Sequence, residues 1–175
     1  MNGPGTPAIR LARPADADAL PEIEKAAGAL FASLPGYENI ADHPPLTAQR
    51  YVSLIAKRHC LVAADGERIA GFIACEPFRR ELHIREMSVH PSFQRQGLGE
   101  RLVRATIIDA RNEGFDALTL TTFHDVPWNA PFYAKLGFVI VEDSENHARL
   151  HGLLEEEDIA APAGDRRVAM IRFLD

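Results

Sequence analysis

The chain has 175 residues, 46% of them hydrophobic, and a formal charge of -6 from 19 Lys and Arg against 25 Asp and Glu. That length supports one domain with a sizeable core and no need of disulfide or metal staples, and Cys60 and Cys75, isolated in apolar runs, give neither a metal knuckle nor a secreted disulfide framework. The negative charge argues against broad nucleic-acid binding, no run approaches the ~20 apolar residues of a membrane span, and Met1 to Pro7 has no basic patch before an apolar stretch, so a cytoplasmic chain with neither nucleic acid nor membrane as partner is expected.

In chain order, residues 1–7 are Gly/Pro-rich and read as a disordered N-terminus, with one domain over 8–175. Ala8 to Ala12 predicts a strand. A helix follows, capped by Asp16 or Asp18, with Pro21 in its first turn and Leu20, Ile23, Ala27, Leu30 and Phe31 at helical spacing on a buried face. Pro35-Gly36 breaks it. Tyr37 to Leu46, with Pro44 and Pro45, reads as a loop, and Thr47 caps a second helix to Lys57. The period then changes from about 3.6 to about 2. His59 to Ala64, a turn at Asp65-Gly66, Arg68 to Phe78 and Glu81 to Val89 read as three successive strands. A glycine-containing turn leads into a long helix, Leu98 to Asn112, ended by Gly114; Ala117 to Thr122 is a strand, Ala130 to Leu136 a short helix closed by Gly137, and Phe138 to Val141 a strand. Ser144 to Asp158 is polar, and Val168 to Phe173 is the last strand. The order is mixed α/β (α+β), with no internal repeat or linker.

The turn after the third of those strands is the most informative stretch. Gly97 and Gly99, one residue apart, join a strand to a helix, which lets the backbone approach a ligand closely while the unpaired N–H groups of the first helical turn face an anion. A Walker loop would need Lys and Ser/Thr after its second glycine, where Glu100-Arg101 stand, and a dinucleotide fingerprint would need a third glycine in place of Leu102.

The pattern Gln/Arg-x-x-Gly-x-Gly, here Gln94 to Gly99, resembles the acetyl-coenzyme A loop of the GNAT N-acetyltransferases. The preceding Val89-x-Pro91, the following Phe132-Tyr133-Ala134-Lys135-Leu136-Gly137-Phe138 and the element order extend that resemblance over nearly the whole chain. It implies a central, mostly antiparallel sheet of six to seven strands flanked by helices and splayed to hold the coenzyme. It further implies acetyl-CoA as co-substrate, without a metal, and direct acetyl transfer to a primary amine of a small molecule or peptide. Cofactor contacts would come from Met87 and Val89 through their backbone, from Gln94, Arg95, Gln96, Gly97, Leu98, Gly99 and Glu100 in the loop, and from Asn129, Phe132 and Tyr133. Arg101 would stand near the loop. Homodimers are common among similar proteins, although no residue pattern here marks a contact surface.

An alkylamine with a pKa near 10.4 must be deprotonated at a cost of roughly 4.6 kcal/mol at neutral pH before it attacks a thioester, so a base is needed. Strict alternation puts His83, Arg85 and Met87 on one face of their strand and Ile84, Glu86 and Ser88 on the other. His83 matches the position where several family members carry a catalytic Glu, and those similar to arylalkylamine N-acetyltransferases a His; base and structural histidine both remain open. Glu86 is the competing base if a bulge turns it inward, and otherwise an ion-pair partner for a nearby Arg. Arg85, which does not deprotonate, is an ion-pair residue or a contact for a substrate carboxylate. Tyr133 matches the tyrosine beside the departing sulfur and would donate a hydrogen bond to the developing thiolate, and Asn129 doubles as a helix N-cap. His147 and His151 lack a third metal ligand, Cys75 and Cys60 have no activating neighbour, Glu155 to Asp158 reads as a solvated face or a helix start, and Glu22 and Glu24 as surface residues that could border the acceptor site. A coenzyme A-binding module without turnover is the alternative to an enzyme.

Overall fold

Three hydrophobic segments joined by tight turns fold back on one another as a meander, and the rest of the domain is built outward from it. The computed structural model describes residues 5–142 and 147–175. Strands β1 (Ala8–Leu11), β2 (Cys60–Asp65), β3 (Arg68–Phe78), β4 (Glu81–Val89), β5 (Ala117–Phe123), β6 (Val139–Ile140) and β7 (Arg167–Phe173) form one sheet in the order β1-β2-β3-β4-β5-β7-β6. Every neighbouring pair is antiparallel except β4 and β5. A parallel pair needs a crossover, and α4 (Leu98–Asn112) supplies it.

Alternation along the strands makes two cores. On one face Ile73, Cys75, Leu82 and Ile84 pack with Leu102, Val103 and Ile107 of α4 and with Tyr133 of α5 (Ala130–Lys135). On the other face Val62, Phe72 and Ala74 pack with Leu20 and Ile23 of α1 (Leu20–Gly28) and with Tyr51 and Leu54 of α3 (Ala48–Ala56). Helix α6 (Ala148–Ala160) sets Leu150 and Leu153 against Ala169 of β7. Cys60 and Cys75 therefore lie in opposite cores although their strands are paired, and burial pushes both thiols above the ordinary range, Cys60 to about 11.

The expected mixed sheet and nearly all its elements are present, with a few differences. The chain turns helical at Pro14, in a 3-10 segment Pro14–Ala19, before α1. There Asp16 does not cap a later helix; its carboxylate accepts the Arg13 N–H at 2.7 Å and Arg10 at 2.7 and 2.9 Å, closing the earlier turn. Leu30 and Phe31 belong to a second 3-10 segment, Ala29–Ser33, and Leu30 stays 38% exposed instead of entering the core. The region expected as a loop contains a one-turn helix, α2 (Glu38–Ala41). The Glu155–Asp158 run lies within α6, and residues 144–146 of that polar stretch lie outside the described residues, as do residues 1–4 of the N-terminal segment. Among the described residues no helix is long and apolar enough to cross a membrane.

What positions the site is the way β4 and β5 part. They pair only from Glu81 with Ala117 to Ile84 with Leu120. Beyond that, β4 stays bonded to β3 as far as Val89, and β5 to β7 as far as Phe123. The two inner edges are thus left unpaired, and the gap passes through the sheet from one core to the other.

Candidate active site

A cleft of about 620 Å³ occupies the gap, and one of about 260 Å³ adjoins it under the start of α4. The smaller one is shaped by the turn between β4 and α4, which is made with Arg95 and Gly97 both left-handed, at φ 61° and 72°. Gly97 adopts that conformation without the side-chain clash another residue would meet. The helical ladder begins with Arg101 N–H donating to the Gly97 carbonyl at 3.1 Å, so the N–H groups of Leu98, Gly99 and Glu100 precede it without an intrahelical partner. A Cβ on Gly99 would lie 3.5 to 3.7 Å from Met87 and Phe132, in the wall of this cavity. An anion with a bulky tail fits such a cradle: open N–H groups, a helix dipole, an exposed Arg95 and no methyl at the closest point.

Of the residues expected to hold the cofactor, Met87, Val89, Gln94, Arg95, Gly99, Asn129, Phe132 and Tyr133 border the larger cleft, and Gly97, Leu98 and Glu100 the smaller. Gln96 borders neither and is exposed on the turn. The Gln94 amide donates to the Val89 carbonyl at 2.9 Å and so fixes the end of β4. Leu98 points into the core and offers only its backbone. Glu100, an acid where an anion is expected, is paired with Arg104 at 2.8 Å. Arg101 does not serve the loop, because its guanidinium donates to the Pro7 carbonyl at 3.0 Å. Asn129 does not cap α5 through its side chain; its amide oxygen accepts from Thr122, which ties it to the β5 edge of the gap.

The register of β4 decides which carboxylate faces the cleft. Ala74 pairs with Glu86 and Cys75 with Ile84, so Arg85 is an unpaired bulge residue. The extra residue reverses the alternation and puts Glu86 on the face of α1. There its carboxylate accepts the Ser88 hydroxyl at 2.7 Å and borders the cleft. Burial, with the nearby Glu24 charge, pushes its pKa up to about 8. Arg85 borders the cleft and pairs with Glu76 at 2.7 Å, not with Glu86. Burial alone would raise Glu76, but hydrogen bonds from Lys57 and Arg85 hold it down at about 2.

His83 is placed differently from the expectation of a base. It is 1% exposed, borders neither cavity, and contacts the Thr119 hydroxyl at 2.9 Å through Nδ1, at the closed end where β4 and β5 are still paired. Burial, reinforced by the charges of Arg85 and Arg149, lowers its pKa to about 3 and keeps it neutral. Tyr133 enters the cleft from the opposite face on α5, with burial and the Glu86 charge holding its hydroxyl protonated. His147 contacts Glu81 at 2.8 Å and is occupied in docking α6.

Two cleft residues carry weak sequence signals. Glu24 borders the cleft instead of lying on the surface, and accepts the Tyr51 hydroxyl and, at 2.9 Å, the Leu46 N–H. Glu157, within the run expected to be solvated, accepts the Thr121 hydroxyl at 2.8 Å and lies 3.6 Å from Arg167. Burial raises the pKa of both. Glu24 stands one turn after buried Leu20, on the helix expected to border the acceptor site.

The sequence profile of the Acetyltransferase (GNAT) family matches residues 29–138, well over half of the chain. The chain belongs to the GNAT family. It is an acyltransferase of that family, and solved structures across the superfamily share its fold. An Ard1 protein from Thermoplasma volcanium is 20% identical with a TM-score of 0.67, covering 98% of this chain and 99% of that one. The PaiA N-acetyltransferase of Thermoplasma acidophilum, in complex with coenzyme A, is 14% identical with a TM-score of 0.69 over 95% and 98% of the two chains. The ribosomal-protein-S18-alanine N-acetyltransferase of Escherichia coli is 19% identical with a TM-score of 0.68 over 96% and 94%.

Proposed function

We propose that this GNAT protein transfers the acetyl group of acetyl-CoA directly to a primary amine of a small molecule or peptide, with Glu86 as general base and Tyr133 as hydrogen-bond donor to the departing sulfur. The observation that carries the reading is the Arg85 bulge, which turns Glu86 into the same gap that Tyr133 enters from the other face. The coenzyme A in the PaiA structure supports the choice of co-substrate. The α4 turn, Arg95 and the open edges of the gap would hold it, and it would supply an activated acetyl group on sulfur.

The acceptor arrives as an ammonium. Glu86 takes one proton, the nitrogen forms its bond to the acetyl carbon as the C–S bond breaks, and the second proton leaves with the thiolate. Passing a proton from an ammonium near 10.4 to an ordinary Glu is uphill by about 6 pH units, or roughly 8 kcal/mol. With Glu86 at about 8 the same step is uphill by only about 3 kcal/mol. Neutral, buried His83 has neither access nor basicity for this step. Tyr133, protonated in the apolar wall, can donate to sulfur as charge develops there.

The test is thiol release from acetyl-CoA with a broad amine panel, with the product identified by mass, beside calorimetric binding of coenzyme A. Amine-dependent thiol release and an acetylated amine are expected. Coenzyme binding with no turnover on any amine would leave a binding module in place of an enzyme, and no coenzyme binding would refute both.

A further inference from the structure

The acceptor end of the cleft combines two features that together select a substrate class. Its side wall is aromatic and incompletely covered: the Phe31 ring lies 5.5 Å from Phe123 and 5.8 Å from Trp128, and all three border the cleft. Trp128 is 40% exposed and Leu30, which also borders the cleft, 38%. Its floor is acidic, with Glu24 and Glu86 both bordering the same space.

The cations nearby are committed elsewhere. Arg85 is held by Glu76 at 2.7 Å, Arg167 donates to the Ala161 carbonyl at 2.9 Å and faces Glu157 at 3.6 Å, and Arg95 stands at the α4 turn, at the other end. Lys25 and His43 are exposed at the rim. A carboxylate next to the reacting amine would thus meet Glu24 and Glu86, while Arg85 and Arg167, which line the cleft, are already paired with Glu76 and Glu157, and leaving it desolvated there is costly. An ammonium on an apolar body has its charge matched by the floor and its surface covered by the rings.

Resting on the amine acetyltransfer proposed above, we propose that the acceptor is a primary ammonium carried on an aromatic body with no carboxylate beside the amine, its charge received between Glu24 and Glu86 and its body laid against Phe31 and Trp128. Glu24 is then a specificity-determining residue, and its hydrogen bond from Leu46 N–H ties the acidic floor to the Pro44–Pro45 rim of the cleft.

The experiment compares five acceptors with purified full-length protein at saturating acetyl-CoA: phenethylamine, phenylalaninamide, phenylalanine, n-butylamine and 1,4-diaminobutane. Phenethylamine and phenylalaninamide are expected to exceed the other three in kcat/KM by at least about tenfold, the ringless amines because a stacked ring is worth about 0.5–1.5 kcal/mol beyond its burial and phenylalanine because its carboxylate meets the acidic floor. Trp128→Ala and Phe31→Leu should each lower the phenethylamine to n-butylamine ratio by about five- to tenfold, and Glu24→Gln should narrow the preference for phenethylamine over phenylalanine. Phenylalanine or either ringless amine matching phenethylamine would overturn this inference while leaving acetyl transfer intact, as would ratios unchanged in the variants. Absence of thiol release with every amine, despite coenzyme binding, would instead sink the function on which the inference rests.

Discussion

Glu86→Gln is the sharpest perturbation, because activity and stability should move in opposite directions. Gln keeps the shape, and its amide oxygen can still accept the Ser88 hydroxyl, but it cannot take a proton from the acceptor. Loss of a general base costs about 10²–10⁴ in rate, and that fall is expected in kcat/KM. In the parent protein kcat/KM should rise with pH through about 8 as Glu86 ionises, and the variant should lose that limb. For stability, the folded pKa lies above the unfolded value of 4.5, so the folded state holds the proton more tightly; the contribution is fully present below about 4.5 and is lost as pH rises through about 8. At about 1.36 kcal/mol per pH unit the ceiling is roughly 5 kcal/mol. The cleft is open to water, which screens the buried charge and brings the expected gain of the variant at pH 9 to about 1–3 kcal/mol. For a chain of this size that is about 2–4 °C in Tm per kcal/mol. Thiol-release rates from pH 6 to 10 and melting curves from pH 5 to 9 measure both effects. A limb near pH 8 that survives in Glu86→Gln, or melting profiles that run parallel for the two proteins, would refute the reasoning.

Tyr133→Phe removes a donor to a developing charge, worth about 1.5–3 kcal/mol, so kcat should fall roughly tenfold to hundredfold while calorimetry finds coenzyme A affinity within about twofold. Gly99→Ala places a methyl in ordinary contact with Met87 and Phe132 but in the wall of the anion cradle; Tm should change by only about 2 °C, while the Kd for coenzyme A rises about tenfold or more, or 1.4 kcal/mol. His83→Leu breaks a buried hydrogen bond to Thr119, so denaturant unfolding should report a loss of about 1–3 kcal/mol with the pH–rate limb near 8 in place. Disappearance of that limb in His83→Leu would return the base to His83.

The parts of the site that depend on residue type were legible in the chain, and the part that depends on register was not. Gly97 and Gly99 between a strand and a helix specify an anion-binding turn by chemistry alone, and the Leu98–Asn112 helix follows the apolar period closely enough that its limits coincide with those expected. The base could not be read this way. From His83 to Ser88 strict alternation would put Ile84 and Met87, three residues apart, on opposite faces; both pack in the α4 core, and Arg85 slips out of the pairing between them, which only the packed sheet makes plain. Once Cys75 must face α4 and Ala74 must face α1, the single extra residue carries Glu86 onto the α1 face and leaves Arg85 to Glu76.

The same limit hid the acceptor end, because Glu24, Phe31 and Trp128 are more than a hundred residues apart at the extremes and share a wall only after the sheet has opened. It also reconciles the net charge of -6 with a polyanionic co-substrate. Among the acids that face the gap, Glu24 and Glu86 lie at its floor and Glu157 faces Arg167, while the anion cradle is built from backbone N–H groups with Arg95 beside it and Glu100 drawn off by Arg104. An interaction made by a helix terminus acts within its first turn, so the fold can hold a phosphate and an ammonium in one cleft without the overall charge deciding against either.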